Sequence, residues 1–354
     1  MIARYDARGN VYVVATPAQV RDHGVALPAG PADAARSRLL WARHAVDALC
    51  GRTRGGHGPT AKPHGTDGLL VGPFQDRPPF DVLIVNTDGT LAERSGNGLT
   101  IFSRMLADRG LLGAGASVLL RVHHDQPGSP SPTVTGMHAA LDAAGQPAFW
   151  LDMGTPLFGP EAVGAEGRGV QPARDGANLV ARLAELDPSW RRSVFVRIGN
   201  PHCVTVLSDL AALPGMEALR AAELHARLAS IAYAAPMPGS VGARGDGDPC
   251  PRGVNLQWAA PASRTRIVAR VFERGEGPTA SSGTSATAVA CAFWRLGLVS
   301  AGRVDVEMPG GTAPLELVEG DKQLSQVRLL GVATPCPHPG CPLPAQAHPW
   351  VGRL

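Results

Sequence analysis

The same local pattern occurs twice in this chain of 354 residues, once in each half. Each copy reads as an apolar strand, a glycine-rich turn, a Ser-Gly pair and a segment whose apolar residues have helical spacing. Ser95 precedes a closing Gly110 by 15 residues, and Ser282 precedes Gly297 by the same 15. Matched spacing of this kind indicates an internal duplication, and the length is sufficient for two domains.

Local patterns predict the elements around these serines. A strand is expected at residues 11–14, after the Gly9-Asn10 turn. A helix is expected at residues 31–49, where alanine, leucine and Trp41 recur at helical spacing. The other predicted strands cover residues 69–71, 82–85 and 266–272, and the two glycine-closed helices cover residues 99–110 and 286–296.

Composition limits the classes of function. Lysine and arginine are scattered and the formal net charge is +3, so neither nucleic acid nor an anionic membrane is an expected partner. The sequence has no signal-like N-terminus and no apolar run near the roughly 18 residues of a membrane span. Six cysteines do not form a disulfide-scaffold pattern in a chain of this length. We therefore expect a soluble, cytoplasmic protein.

A serine at the start of a helix has two interpretations. The N-terminus of a helix presents N–H groups without intrahelical partners and a partial positive charge, so two such ends across a cleft would bind one carboxylate between them. Alternatively, Ser95 and Ser282 are ordinary N-caps, since serine is among the preferred residues at that position. The matched pair, each beside a glycine, favours a site.

The motifs around these serines resemble those of diaminopimelate epimerase and the related amino-acid racemases and epimerases that work without pyridoxal phosphate. The resemblance runs nearly from end to end of the chain. Ser95 and Ser282 stand where the family has its two catalytic cysteines. The matching segments are Gly9-Asn10, residues 86–98 (NTDGTLAERSGNG), residues 152–154 (DMG), residues 198–204 (IGNPHCV), residues 253–255 (GVN), residues 273–275 (ERG), residues 279–286 (TASSGTSA) and residues 308–311 (MPGG).

The resemblance implies a fold, a reaction and a cofactor requirement. The implied fold is α/β (α+β), with two similar, pseudo-symmetric domains, each a curved and mostly antiparallel sheet around a central helix. The implied active site lies in the cleft between them. The implied reaction is stereoinversion at the α-carbon of an amino acid, in which one group removes the α-proton and another, on the opposite face, returns one. No cofactor and no metal are implied, and a homodimer stays open.

The resemblance also implies three sets of site residues. The helix starts that hold the α-carboxylate correspond to Gly96-Asn97 and Gly283-Thr284, and the groups that assist the two catalytic positions correspond to His202 and Glu273. Gly68 departs from the family pattern, in which a polar pocket residue is usual at that position. The pocket for the distal end of the substrate corresponds to Asn10, Asn86, Asn200, Asn255 and Arg274.

Ordinary side-chain chemistry is compatible with these assignments. Asparagine both donates and accepts hydrogen bonds, which suits an amino-acid zwitterion, and Arg274 offers a fork for a carboxylate. Histidine has a pKa near neutrality, which suits His202 to proton relay. The alternatives are that the asparagines beside glycine form turns and that Glu273 and Arg274 are a solvated pair at a strand end.

Serine in place of cysteine limits how much of the reaction carries over. A thiol has a pKa of about 8.5, whereas an alcohol titrates roughly like water, whose pKa is about 15.7. The gap of about seven units corresponds to roughly 10 kcal/mol, of which a well-placed helix dipole recovers about 2 kcal/mol. Three functions stay open: an isomerase in which His202 and Glu273 support the serines, a lyase or dehydratase of a β-substituted amino acid, and an amino-acid-binding pseudoenzyme.

Three regions are predicted along the chain. They are an N-terminal domain at residues 1–148, a C-terminal domain at residues 149–332 and a proline-rich tail at residues 333–354. Cys336, His338 and Cys341 lie close together in the tail, but zinc usually takes four ligands in a spaced pattern. We therefore expect a solvated tail rather than a metal site.

Overall fold

The computed structural model describes residues 2–51, 65–126, 130–142, 144–165, 169–235 and 245–336. Its strands are β1 (Ala3–Ala7), β2 (Asn10–Ala15), β3 (Gly68–Val71), β4 (Phe80–Asn86), β5 (Ser117–Val122), β6 (Thr133–Leu141), β7 (Pro147–Gly154), β8 (Leu157–Phe158), β9 (Val170–Pro172), β10 (Asn178–Val180), β11 (Arg192–Ile198), β12 (Asn200–Val206), β13 (Asn255–Pro261), β14 (Arg266–Glu273), β15 (Gly277–Thr279), β16 (Gly302–Met308), β17 (Gly311–Gly320), β18 (Gln323–Val332) and β19 (Thr334–Pro335).

Helices connect these strands. The α-helices are α1 (Pro17–Asp22), α2 (Pro31–Arg36), α3 (Ala42–Leu49), α4 (Gly96–Asp108), α5 (Pro160–Val163), α6 (Ala181–Ala184), α7 (Met216–Arg220), α8 (Ala222–Ala232) and α9 (Gly283–Arg295). Single turns of 3-10 helix lie at Arg38–Leu40, Pro188–Arg191 and Leu210–Ala212. No helix in the described part of the chain is both long and apolar enough to cross a membrane.

The chain divides into two compact units, called here the first and the second unit. The first consists of Met1–Asp152 together with the chain from Leu330 onward, and the second is Met153–Leu329. The divisions therefore fall within β7 and β18, whereas the sequence predicted boundaries after residues 148 and 332. The predicted tail begins inside the first unit, because β19 pairs with β1 and Ala333 O accepts a 2.9 Å hydrogen bond from Arg104 Nη1.

The sheet of the first unit is mixed and mostly antiparallel. The pairs β1–β2, β3–β4, β5–β6 and β6–β7 are antiparallel, and the pairs β2–β3 and β4–β5 are parallel. Helix α4 is the central helix of this unit. Its residues from Gly96 to Ser103 are all buried, as expected for a helix surrounded on every face by its own domain.

The second unit repeats this plan strand by strand. The pairs β11–β12, β13–β14, β16–β17 and β17–β18 are antiparallel, and the pairs β12–β13 and β14–β16 are parallel. Helix α9 is the counterpart of α4 and is buried from Gly283 to Phe293. The internal duplication predicted from the serine spacing is thus present as a repeated topology, and the predicted fold class is confirmed.

Strand register aligns the two units position by position. Tyr12 pairs with Gly68, which pairs with Asn86; in the second unit His202 pairs with Asn255. Each serine follows the last residue of its strand, Asn86 or Glu273, by nine positions. The equivalent positions are Asn10 and Asn200, Tyr12 and His202, Gly68 and Asn255, Leu70 and Gln257, Asn86 and Glu273, Ser95 and Ser282, and Gly98 and Ser285.

Most of the predicted elements are confirmed, but the single helix at residues 31–49 is wrong. The structure has two helices there, α2 and α3, separated by a 3-10 turn. Ser37 is the C-cap of α2, and its hydroxyl donates a 2.7 Å hydrogen bond to Asp33 O. The break lets Trp41 reach the core, where its Nε1 donates to Ala34 O at 2.8 Å. In this chain the buried Trp41 therefore lies between α2 and α3 rather than within one continuous helix.

Candidate functional site

Ser95 is the N-cap of the central helix in the first unit. Its backbone is extended, with φ −140° and ψ 119°, and its Oγ accepts a 3.0 Å hydrogen bond from Gly98 N. Space beside the cap is limited, because a Cβ at residue 98 would lie 3.2 Å from both the Cβ and the Oγ of Ser95. The turn after β4 positions the serine, since Ala92 N donates to Ile84 O at 2.9 Å.

Ser282 occupies the same position in the second unit. Its φ of −151° and ψ of 121° nearly match those of Ser95, and its Oγ accepts a 3.3 Å hydrogen bond from Ser285 N. The hydroxyl of Thr284 lies 3.4 Å from the same Oγ. Both serines are thus N-caps in the ordinary structural sense. Capping and chemistry do not exclude each other, because a cap points its oxygen at the positive end of the helix.

The predicted carboxylate-binding residues are the first two residues of each central helix. Gly96 and Asn97 begin α4, and Gly283 and Thr284 begin α9. The N–H groups in the first turn of a helix have no intrahelical partners. Neither of these two described helices has an acidic side chain in its first turn, so no carboxylate of its own helix neutralises the positive end. Each helix start therefore suits an external anion.

His202 is connected to the start of α9 through Gln257. The parallel pairing of β12 and β13 brings the two strands together, and both side chains are fully buried. Gln257 Nε2 lies 3.0 Å from His202 Nδ1 and 3.1 Å from Ser285 Oγ. Because Ser285 N donates to Ser282 Oγ, the histidine, the glutamine and the capping serine form one connected polar network. The sequence patterns did not single out Gln257 or Ser285.

The protonation state of His202 differs from the one expected from sequence. Burial, together with the positive charge of Arg274, lowers the pKa of His202 to about 3. The expected near-neutral pKa is therefore wrong, since no solvent stabilises the imidazolium. At physiological pH this histidine is a neutral imidazole, which has one N–H donor and one acceptor nitrogen.

The residues predicted for the distal pocket make local contacts of their own. Asn86 Nδ2 donates to Thr90 Oγ1 at 2.9 Å, and Asn255 Oδ1 accepts from Arg274 N at 2.8 Å. The exposed Arg274 also donates from Nη1 to Arg252 O at 2.8 Å. Asn86 therefore makes a local turn contact, as the alternative interpretation of this residue predicted. The structure brings Asn255 and Arg274 into direct contact.

The remaining predicted residues lie at strand ends. Asn10 and Asn200 are the first residues of β2 and β12, and Glu273 is the last residue of β14. All three are partly accessible. Each unit therefore carries a matched set, in which an asparagine begins one strand and a polar residue ends another, nine positions before the capping serine.

The cysteines of the described chain do not supply a substitute for the two missing thiols. Cys50, Cys203, Cys250 and Cys291 are buried. Burial raises the pKa of each, to about 12 for Cys203. A thiol with a raised pKa is a poor source of thiolate near neutral pH. The described cysteines therefore do not supply a thiolate for chemistry at these helix starts.

The described residues contain no group of three or more His, Cys, Asp or Glu side chains arranged to hold a metal ion. Of the cysteine and histidine cluster noted in the tail, Cys336 is described and is partly buried. His338 and Cys341 lie outside the described residues.

Comparison of the sequence with known proteins finds similarity to diaminopimelate epimerases. The family profile described as diaminopimelate epimerase matches residues 246–333. Diaminopimelate epimerase 2 of Nostoc sp. (strain PCC 7120) is 27% identical over 315 residues, covering 89% of this chain and 87% of that protein. Diaminopimelate epimerase of Paraburkholderia xenovorans is 32% identical over 232 residues, covering 66% of this chain and 68% of that protein.

A solved structure shares the fold. The hydroxyproline epimerase from Agrobacterium vitis, determined with bound trans-4-hydroxy-L-proline, superposes with a TM-score of 0.54 at 13% sequence identity. The match covers 94% of this chain and 89% of the other. At that identity the similarity concerns the fold alone.

Proposed function

This chain belongs to the diaminopimelate epimerase family, an isomerase family of the racemase and epimerase type, and we propose that it inverts the α-carbon of an amino acid without a cofactor. The observation that carries the proposal is the matched position of Ser95 and Ser282. Both are N-caps of buried central helices, at equivalent positions in two units of one topology. A duplication that keeps both N-caps polar and their helix starts free of acidic side chains suits a carboxylate substrate.

In the proposed reaction the substrate's α-carboxylate is held by the helix starts at Gly96-Asn97 and Gly283-Thr284. The α C–H bond breaks, its electron pair is delocalised into the carboxylate, and the proton passes to a protein group on one face. A proton from the opposite face then completes the inversion. The backbone N–H groups of the helix starts favour the extra negative charge on the carboxylate in the transition state.

The proton-transfer groups in the proposal are Ser95 and Ser282 together with His202 and Glu273. Each serine Oγ accepts a backbone N–H at a helix N-terminus, which favours the alkoxide by about 2 kcal/mol in a good geometry. That is a small part of the roughly 10 kcal/mol by which an alcohol is harder to deprotonate than a thiol. In the proposal, catalysis by the wild-type chain is therefore slow and depends on His202 and Glu273.

The proposed substrate is an amino acid with a second polar end, diaminopimelate or a close analogue. Asn255 and Arg274 support this choice, because they are joined by a hydrogen bond and Arg274 is exposed. Arg274 can form a charge-assisted hydrogen bond with a distal carboxylate. Asn10, Asn86 and Asn200 complete the proposed pocket as donors and acceptors for a distal ammonium and carboxylate.

The proposal is tested by exchange of the α-proton in D2O, followed by proton NMR. LL- and meso-diaminopimelate and a panel of other amino acids are incubated with wild type, with Ser95→Ala/Ser282→Ala and with the exposed-site control Ser263→Ala. We expect slow exchange with inversion by wild type and by the control, and loss of exchange by the double variant. General acid–base groups raise reaction rates by about 10²- to 10⁴-fold, so we expect the exchange rate to fall by a factor in that range.

Two other outcomes would overturn the proposal. Release of a keto product from a β-hydroxy amino acid would make the chain a lyase or dehydratase. Thermal stabilisation by an amino acid without any exchange would make it a binding protein, since a ligand at 100 times its Kd stabilises the folded state by about 2.7 kcal/mol.

A further inference from the structure

The polar network of the second unit contains two buried atoms that the described residues leave without hydrogen-bond partners. They are His202 Nε2 and Gln257 Oε1. Their neighbours on the same side chains, His202 Nδ1 and Gln257 Nε2, face each other at 3.0 Å. A buried polar atom without a partner costs about 1–3 kcal/mol. A network with two such atoms therefore lowers the stability of the folded state, and folding alone does not explain why it is present.

The first unit shows that the fold does not require this network. At the three positions equivalent to His202, Gln257 and Ser285, the first unit has Tyr12, Leu70 and Gly98. Leu70 is fully buried in β3, as Gln257 is in β13. The same strands and the same central helix thus form with an apolar residue at the glutamine position. Because an isolated buried amide is costly and a leucine fits the topology, we infer that the glutamine serves function rather than folding.

Hydrogen-bond counting fixes the direction of the contact between the two side chains. If the Gln257 amide N–H groups donate to His202 Nδ1 and Ser285 Oγ, the glutamine leaves one carbonyl oxygen unpaired. If the amide were reversed, it would leave two N–H donors unpaired. Buried N–H groups without partners are rarer than under-satisfied carbonyls, so the first arrangement is favoured. In it Nδ1 is an acceptor, and a neutral imidazole then carries its proton on Nε2.

We propose that Gln257 is a positioning residue, which holds His202 in the tautomer that carries its proton on Nε2 and so presents an N–H donor for the reaction. The catalytic meaning of this role rests on the proposed function. His202 then donates a hydrogen bond from Nε2 and does not itself remove the α-proton. Removal of the proton falls to another group, of which Glu273 is the ionisable candidate in the same unit.

The test is the tautomer of His202, read from long-range proton–nitrogen correlation spectra of nitrogen-labelled protein. The ring signals of His202 are assigned by their loss in His202→Phe. Wild type is expected to show a protonated Nε2 and an unprotonated Nδ1. Gln257→Glu replaces the donor by a carboxylate that only accepts, so the proton is expected to move to Nδ1. Gln257→Leu copies the first unit and is expected to give a mixture of both tautomers.

The control is Ser285→Ala, which removes the other partner of Gln257 and is expected to keep the wild-type tautomer. Thermal unfolding checks that each variant is folded. A proton on Nδ1 in wild type would overturn the proposal, and so would an unchanged tautomer in Gln257→Glu. If Gln257→Glu does not fold, Gln257→Leu decides, because a wild-type tautomer in that variant would equally overturn the proposal.

An activity measurement separates this inference from the proposed function. Where wild type exchanges α-protons, Gln257→Leu is expected to lower the rate by about 10²-fold without a loss of thermal stability. Absence of exchange in wild type would count against the proposed function and would leave the tautomer result standing. Exchange at the wild-type rate in Gln257→Leu would contradict the positioning role.

Discussion

Replacing both Ser95 and Ser282 by cysteine is expected to raise the rate of α-proton exchange by about 10³-fold, within the range that general acid–base groups contribute. The physical reason is acidity, because a thiol loses its proton about seven pKa units more readily than an alcohol. Each new thiol would stand at a helix N-terminus with its side chain directed at backbone N–H groups. Such a position lowers the pKa of a cysteine. The measurement is exchange in D2O with the substrate found for wild type, or with diaminopimelate.

The matched control is Ser103→Cys/Ser281→Cys, which adds one buried thiol to each unit at a position other than the N-cap. Ser103 lies within α4, where its hydroxyl donates to Leu99 O at 2.8 Å, and Ser281 directly precedes the cap. This variant is expected to exchange at the wild-type rate. An equal gain from the control would show that the gain does not depend on the N-cap positions. No gain from the double N-cap variant would show that the two serine positions take no part in the reaction.

Gly68→Ala is expected to destabilise the protein by about 3 kcal/mol, the upper part of the range for overpacking a filled site. A Cβ at residue 68 would lie 2.6 Å from Val85 O and 2.8 Å from Tyr12 Cε1. The first contact is with backbone in the neighbouring strand, so no side-chain rotation relieves it. For a unit of this size we expect Tm to fall by roughly 6–12 °C. Thermal unfolding of the variant beside wild type measures the effect.

Gly113→Ala is the control for this prediction. Gly113 lies in the same unit, is exposed, and has no neighbouring atom within 4 Å of an added Cβ. We expect its Tm to stay near that of wild type. A Gly68→Ala variant as stable as this control would contradict the packing described around β3. The same contacts explain why this chain has no polar pocket residue at position 68, since Tyr12 and β4 occupy the space.

The fold could be predicted wherever the sequence carries local signals. Glycines that close helices and serines that cap them predict the two central helices, and the equal spacing of these residues indicates the duplication. The break between α2 and α3 could not be predicted in this way. Ser37 and Trp41 keep helical spacing with their neighbours, and the break depends on Trp41 reaching Ala34 O. That contact forms only once the core is packed.

The contacts within the candidate site could be predicted from the sequence only in part. The capping serines and the helix starts follow from one-dimensional patterns, whereas the link between His202 and Gln257 does not. The two residues are 55 positions apart and meet through the pairing of β12 with β13. One signal was available, because Gln257 is a single polar residue within the apolar strand segment LQWAA. In an alignment of the two halves through their strand ends, Gln257 is equivalent to Leu70.

The position of deuterium after the first turnovers of one stereoisomer in D2O distinguishes a reaction with two proton-transfer groups from a reaction with one. If Ser95 and Ser282 belong to a site that removes a proton from one face and returns one to the other, deuterium enters the inverted isomer. The recovered starting isomer then keeps its original proton. This is the result that we predict for wild type and, faster, for Ser95→Cys/Ser282→Cys. Deuterium in the recovered isomer with retained configuration would contradict the account, because one group on one face would then perform both proton transfers.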